Sequence, residues 1–121
     1  MSELRRTDHG ELLVPRLRLA TGMFQRMRGL LGVRSLDADE GLWIQPCNSV
    51  HTFFMRFPID VAFLDREGVV LKIVPRLRPF RMAAGGRRAR SALELAPGAA
   101  ARVGLEVGQA LNPRPTASSS S

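Results

Sequence analysis

The stretch IDVAFLDREGVVLKIV, residues 59–74, constrains the fold of this chain more than any other part of the sequence. Two runs of apolar, β-favouring residues flank a short turn around Asp65 and Gly68. Alternating apolar runs joined by such a turn are typical of a β-hairpin. The hairpin predicts antiparallel sheet structure in the middle of the chain.

Weaker patterns predict further elements on both sides of the hairpin. Alternating arginine and leucine in PRLRLAT, residues 15–21, predict a half-buried strand. Apolar residues at helical spacing then predict a short helix from Thr21 to Gly32. Brief strands are predicted in GLWIQP, VHTFFMRF and SALELA, and a closing strand ends at Leu111. A second short helix is predicted between Pro97 and Gly104.

The segment PRLRPFRMAAGGRRAR, residues 75–90, has no regular apolar spacing and predicts a long surface loop. The whole pattern favours a mainly β, β-rich α+β fold: a small antiparallel, partly open barrel or curled sheet with one or two short helices. An open α+β sheet is the alternative. We expect one domain over residues 11–111, a flexible N-terminus over 1–10 and a disordered tail over 112–121.

Composition bounds the compartment and the partners. The sequence has no recognisable export signal and no apolar run of bilayer length, and Cys47 is its only cysteine. We therefore expect a cytoplasmic protein without a disulfide or membrane span. The net charge of +7 favours anionic partners, although arginine supplies all the basic residues except Lys72, which also fits a compositional bias. Six arginines in a stretch without acidic residues form a candidate anion site: Arg76, Arg78, Arg81, Arg87, Arg88 and Arg90.

Residues 47–60, CNSVHTFFMRFPID, concentrate the residue types that carry chemistry. Cys47, His51 and Asp60 suggest a nucleophile, a base and an orienting carboxylate. Along one continuous strand, however, the first two lie about 13 Å apart at ~3.3 Å per residue, which is beyond hydrogen-bonding distance. A thiol buried among apolar residues is also unreactive. We therefore predict that Cys47 is buried and slow to react.

A metal site requires more ligands than this region offers. Cys47, His51 and Met55 recur at every fourth position, but a structural zinc ion needs four ligands and a blue copper site normally needs two histidines. The remaining histidine, His9, lies in the predicted flexible N-terminus. We expect neither a metal nor a cofactor.

Asp60 is the most informative polar residue of this region. In an extended strand it shares a face with Ala62 and Leu64, so its carboxyl group is expected to be partly buried. A buried carboxylate must be paired or hydrogen-bonded, and the candidate partners are His51, Thr52, Arg56 and the arginine-rich loop. Two interpretations remain open: a polar network that fixes strand register, or a ligand pocket built from the same groups.

The run SVHTFFMRFPIDVAFLDREGVVLKIV, with its flanking motifs, resembles the family called domain of unknown function 192. The resemblance covers roughly residues 23–111 and implies a compact, mostly β-strand fold, but no reaction. One departure is Gln109, which follows Gly108 where the family pattern leads us to expect Asp. The matching residues are Arg28, Gly29, Leu30, Gly32, Pro46, Cys47, Ser49, His51, Thr52, Phe54, Met55, Phe57, Pro58, Ile59, Asp60, Phe63, Leu64, Asp65, Gly68, Pro79, Arg81, Ala89, Ser91, Leu93, Glu94, Leu95, Pro97 and Gly98.

Three classes of function remain. The leading hypothesis is a binding module, a monomer or weak dimer, with a polar pocket for a small anionic ligand. An alternative is a hydrolase-like enzyme that uses His51 and Asp60, with or without Cys47. A second alternative is weak, non-specific binding of single-stranded nucleic acid, which is disfavoured because Phe80 is the only aromatic residue of the basic loop. The predicted pocket residues are His51, Thr52, Met55, Arg56, Asp60, Arg81, Arg90 and Ser91.

Overall fold

A computed structural model of the chain describes residues 2–20, 36–53 and 55–116. These residues form nine strands and one short helix. The elements are β1 (Ser2–Arg6), β2 (Leu12–Ala20), β3 (Glu40–Ile44), β4 (Ser49–His51), β5 (Ile59–Leu64), β6 (Val70–Leu77), β7 (Met82–Ala84), β8 (Ser91–Leu95), α1 (Ala99–Arg102) and β9 (Leu111–Pro115). The helix predicted from Thr21 to Gly32 lies outside the described residues.

Seven strands form one sheet in the order β6-β5-β8-β3-β2-β1-β9, and β4 pairs with β7 in a separate two-stranded sheet. Neighbouring strands run antiparallel, except that β2 and β3 are parallel. The large sheet is curled and is not closed into a barrel. The predicted mainly β fold with a curled sheet is therefore confirmed.

The predicted hairpin is present as β5 and β6. In its turn, Asp65 Oδ1 accepts hydrogen bonds from the backbone amides of Glu67 and Val69, and Gly68 has a left-handed φ of 82°. The Gly68 carbonyl also accepts a hydrogen bond from the backbone amide of Leu111. The turn thus joins the hairpin to the start of β9, at the opposite edge of the sheet.

Apolar residues are buried on both faces of the large sheet. On one face, Asp60, Ala62 and Leu64 of β5 lie with the core that α1 covers through Ala99 and Ala100. On the other face, a second core includes Val50 from β4 and, at its margin, Ala83 from β7. The small sheet therefore packs against the large one, and β5 has no solvent-exposed side.

Where the sequence predicts a flexible segment at 1–10 and a disordered tail at 112–121, residues 2–6 and 111–115 are strands, and residues 117–121 lie outside the described residues. Ser2–Arg6 is a strand between β2 and β9, and its Leu4 is completely buried. Residues 111–115 form an edge strand in which Pro113 pairs with Leu4. Proline lacks an amide proton, but an edge strand needs its donors on one side only. Leu4 belongs to the main core, and its burial anchors β1 in the large sheet.

No helix among the described residues is both long enough and apolar enough to cross a membrane.

Candidate functional site

The two-stranded sheet presents His51 to solvent. Its register pairs Val50 with Ala83 and His51 with Met82. Because successive side chains of a strand point to opposite sides, Val50 is buried in the core while His51 and Met82 are exposed. The apolar face of the two-stranded sheet thus packs against the core, and its opposite face exposes His51 and Met82 to solvent.

Thr52 is a buried residue that holds the turn between β6 and β7. Its hydroxyl group donates a hydrogen bond to the Arg78 carbonyl (2.6 Å) and accepts one from the Arg81 amide (2.9 Å). Its backbone adds two more: the amide donates to the Arg81 carbonyl (2.9 Å), and the carbonyl accepts from the Phe80 amide (3.0 Å). The turn from residue 78 to 81 is thus fixed by one fully buried side chain.

Phe80 lies at the tip of this turn in an unusual conformation. Its φ is 62°, in the left-handed region that bulky residues rarely adopt because of steric crowding at Cβ. Its side chain is nevertheless 58% exposed, so burial of the ring does not offset the backbone cost. Such outliers occur where the surrounding structure holds them, often at functional sites.

Three rings form a chain on this surface. The centroids of His51 and Phe53 are 5.1 Å apart with planes inclined at 33°, and those of Phe53 and Phe80 are 6.5 Å apart with planes inclined at 29°. Phe53 is 38% and Met82 is 68% exposed. We call this region the aromatic–arginine surface and define it as His51, Phe53, Arg78, Phe80, Arg81 and Met82.

The arginines of this surface have no acidic neighbours. Across residues 2–20, 36–53 and 55–116, no carboxylate lies within ion-pair distance of Arg78 or Arg81. The remainder of the sequence contains no Asp or Glu side chain. Both arginines are exposed, and Arg81 Nη1 donates a hydrogen bond to the Phe80 carbonyl (3.3 Å). No carboxylate of the described residues neutralises their charges.

Two other arginines of the predicted loop contact a carboxylate or backbone carbonyls outside this surface. Arg88 lies 3.6 Å from the Asp65 carboxylate. Arg90 donates hydrogen bonds to the carbonyls of Arg87 (2.9 Å) and Ala89 (3.1 Å). The six arginines predicted as one anion site therefore differ in their surroundings.

Asp60 is 1% exposed, and backbone amides occupy both of its carboxylate oxygens. Oδ1 accepts hydrogen bonds from Arg76 (2.9 Å) and Gly98 (3.1 Å), and Oδ2 accepts one from Ala100 (2.9 Å). The carboxylate thus ties β5 to β6 and to the start of α1. This geometry fits the predicted polar network, with backbone amides as partners rather than the His51 ring.

The eight predicted pocket residues divide evenly by burial. Thr52, Met55, Asp60 and Ser91 are buried, whereas His51, Arg56, Arg81 and Arg90 are exposed. Pairing of β4 with β7 brings His51 close to Arg81, the residue before Met82. The predicted pocket residues did not include Phe53, which the structure leaves 38% exposed beside His51.

Cys47 is half-buried rather than fully buried. Its thiol donates a hydrogen bond to the Ser49 carbonyl (3.1 Å), and its amide donates to the Arg90 carbonyl (2.9 Å). These contacts hold the segment before β4 against the segment before β8.

Glu94 is a buried acid on the face of β8 opposite to Leu93 and Leu95. It lies in β8 between Leu42 of β3 and Val61 of β5, and it is 5% exposed. Burial disfavours the charged carboxylate and raises the pKa of Glu94 to about 7. Both faces of β8 are therefore buried.

Gln109 has a structural role at the position where the family pattern suggests Asp. Its Oε1 accepts a hydrogen bond from the Glu106 amide (2.9 Å), and its Nε2 donates one to the Gly104 carbonyl (3.0 Å). A carboxylate could not make the second bond because it has no N–H group. Gln109 therefore braces the loop between α1 and β9.

In the described part of the chain, no three His, Cys, Asp or Glu side chains cluster as a metal-ion site would require. A family model described as "DUF192: Uncharacterized ACR" matches residues 4–113. The chain belongs to the DUF192 family.

Two solved structures are similar to this DUF192 chain. A protein of unknown function from Novosphingobium aromaticivorans DSM 12444 has a TM-score of 0.77 at 20% identity, over 92% of this chain and 82% of that one. A putative transcription regulator from Sinorhizobium meliloti 1021 has a TM-score of 0.80 at 22% identity, over 93% and 94% respectively. These likenesses establish a shared fold. No curated protein matches the sequence.

Proposed function

We propose that this protein is a binding module whose aromatic–arginine surface accepts an anionic partner. The observation that carries the proposal is Phe80, an exposed aromatic residue with a φ of 62° that the buried Thr52 hydrogen bonds hold in place. An unfavourable backbone conformation at an exposed apolar residue lowers stability. A binding role for the exposed ring accounts for this unfavourable conformation at Phe80.

The charges beside Phe80 indicate the chemistry of the partner. Arg78 and Arg81 flank the ring in sequence, and both side chains are exposed. Guanidinium groups bind phosphate and carboxylate oxygens through paired hydrogen bonds and also stack on planar groups. A partner that offers negative charge together with planar or apolar groups fits this combination.

The geometry of Asp60 supports moving the binding site away from the predicted pocket around His51 and Asp60. Three backbone amides already satisfy the Asp60 carboxylate, and it is buried. A ligand would have to displace those amides to reach it. The same reasoning weighs against the hydrolase-like alternative, in which the Asp60 carboxylate would have to act on His51 or on a substrate.

The proposal is tested by binding of long-chain inorganic polyphosphate, a probe with charge but no rings, measured by isothermal titration calorimetry at low salt. The double variant Arg78→Gln/Arg81→Gln should weaken binding by at least about tenfold, because it removes two phosphate contacts. Both side chains are exposed, so the melting temperature should not change. That temperature is measured to exclude unfolding.

The matched control is Arg66→Gln/Arg114→Gln, which removes the same charge from exposed positions in the hairpin turn and in β9. It should bind polyphosphate nearly as well as the wild type. Equal weakening by the two double variants would show that only the net charge matters. That result, or a wild type that does not bind polyphosphate, would overturn the proposal.

A further inference from the structure

We infer that the partner is single-stranded nucleic acid, with its bases stacked on Phe53 and Phe80 and its phosphates held by Arg78 and Arg81. This inference rests on the proposed function and names the partner class. Proteins that bind single strands without sequence preference combine basic residues along the backbone with exposed aromatic rings for the bases. Both features are present on the aromatic–arginine surface.

The ring spacing is the first argument. The Phe53 and Phe80 centroids are 6.5 Å apart, with planes inclined at 29°. This separation lies within the range of about 4.5–7 Å for aromatic rings in contact, so the two rings form one continuous aromatic surface. The His51 centroid lies 5.1 Å from that of Phe53 and extends this surface. A base can stack on the exposed part of it.

The second argument is the placement of charge around the rings. Arg78 and Arg81 are exposed, and no described carboxylate pairs with them. Residues 68–93, which include the whole turn, contain no acidic residue. A phosphate backbone can therefore approach Phe80 without repulsion from a neighbouring carboxylate.

The third argument is that the turn is fixed before any partner binds. The Thr52 hydroxyl group accepts a hydrogen bond from the Arg81 amide and donates one to the Arg78 carbonyl. These two bonds fix the backbone on both sides of Phe80. A prearranged ring loses less conformational entropy on binding than a mobile one. Stacking requires an open base face, which a duplex does not offer within its stack. A single strand is therefore the favoured form.

The test uses fluorescence anisotropy with a labelled oligodeoxythymidine of about twenty nucleotides, which exceeds the site size of one small domain. A second probe is an abasic oligonucleotide of the same length and charge. The wild type should bind the thymidine strand at least about fivefold more tightly than the abasic strand, because each stacked base contributes. With two phosphate contacts, affinity should fall about sevenfold between 50 and 200 mM salt.

Two ring variants separate stacking from charge. Phe80→Asn removes the ring and suits the left-handed backbone, because Asn adopts that conformation more readily than Phe. Phe53→Leu keeps an apolar side chain without the aromatic face. Each should weaken thymidine-strand binding at least about fivefold and leave abasic-strand binding unchanged. The control Val107→Asn removes an exposed apolar residue elsewhere and should change neither.

Each outcome has a defined meaning. Equal affinity for the two strands, lost in Arg78→Gln/Arg81→Gln, would overturn the inference and leave the proposed function standing. Tighter binding to phosphatidylglycerol vesicles than to the thymidine strand, lost in Phe80→Asn, would overturn it in favour of a lipid surface. If the wild type bound none of the three probes, the thymidine strand, the abasic strand and polyphosphate, both the inference and the proposed function would be overturned.

Discussion

Asp60 shows how one buried carboxylate can organise three elements. Its two oxygens accept hydrogen bonds from backbone amides of β6 and of the segment that opens α1, while the residue itself belongs to β5. Hydrogen bonds to a charged acceptor are stronger than neutral ones. The residue therefore sets the position of α1 over the core.

The first prediction is that Asp60→Asn lowers stability by about 2 to 4 kcal/mol. The variant keeps the shape, but its NH₂ group faces an amide donor where an acceptor is needed, and the buried mismatch is costly. Thermal denaturation followed by circular dichroism measures the effect, expected as a fall of roughly 10 °C. The exposed Asp8→Asn is the control. A melting temperature equal to that of wild type would contradict this role of Asp60.

Glu94 gives the second prediction, a pH dependence. Burial raises its pKa from 4.5 to about 7, so between these pH values the native state holds a proton that the unfolded state has released. Stability should therefore fall as pH rises through this window, by up to about 3 kcal/mol, and stay low above it. Urea unfolding at about pH 5 and about pH 8 measures the change.

Glu94→Gln removes this titration. The variant should lose the Glu94 contribution to the pH slope and be more stable than wild type at about pH 8, because it buries no charge. The control Glu67→Gln changes an exposed acid in the hairpin turn and should retain the wild-type slope. If Glu94→Gln also retained that slope, another group would be responsible for it.

At the scale of elements, the turn between β5 and β6 does more than reverse the chain. Gly68 has a φ of 82°, and a Cβ atom built there would overlap the carbonyl oxygen of Leu111. The carbonyl group of Gly68 also accepts a hydrogen bond from the Leu111 amide. The hairpin turn thus requires glycine for its conformation and again for the close approach of β9.

The third prediction compares two glycines with similar dihedral angles. Gly86 has a φ of 94°, but a Cβ atom there would meet nothing within 4 Å. Gly86→Ala should cost only the left-handed conformation, about 1 to 2 kcal/mol. Gly68→Ala should cost at least about 1 kcal/mol more, because β9 must also move. Equal costs in chemical denaturation would show that the contact with β9 does not contribute to stability.

At the scale of the whole molecule, the chain ends complete the large sheet. β1 lies between β2 and β9, and Leu4 is completely buried. The segment before β9 also bonds to the start of β6: the Val70 amide donates to the Gln109 carbonyl, and the Gly108 amide donates to the Val70 carbonyl. These bonds connect the two ends of the curled sheet, although it is not closed.

The fourth prediction tests this role of the N-terminus. Leu4→Ala should lower the free energy of unfolding by about 2 to 4 kcal/mol, the usual cost of truncating a buried leucine. Leu12→Ala in the adjacent β2 is the matched control, because Leu12 is 41% exposed, and it should cost less than about 1 kcal/mol. Similar values for the two variants would mean that residues 2–6 add little to the fold.

Sequence reasoning was most successful where the signal is local. The hairpin at residues 59–74, the strand at SALELA and the mainly β class follow from alternation, β-favouring residues and turn chemistry, all of which act over a few neighbouring residues. The direction of Asp60 followed from the same alternation. Its partners could not be predicted, because Arg76, Gly98 and Ala100 are distant in sequence.

The sequence alone determined the central hairpin, the strand at SALELA, the mainly β class, the buried side of Asp60 and the family resemblance. Only the tertiary structure decided that both faces of β8 are covered, that Glu94 is buried, that residues 2–6 and 111–115 are strands, and that β7 forms within the predicted loop. It also brought Phe53 beside Phe80, 6.5 Å apart, across 26 intervening residues. The reason is physical: alternation fixes which side of a strand a residue takes, whereas burial depends on what packs there.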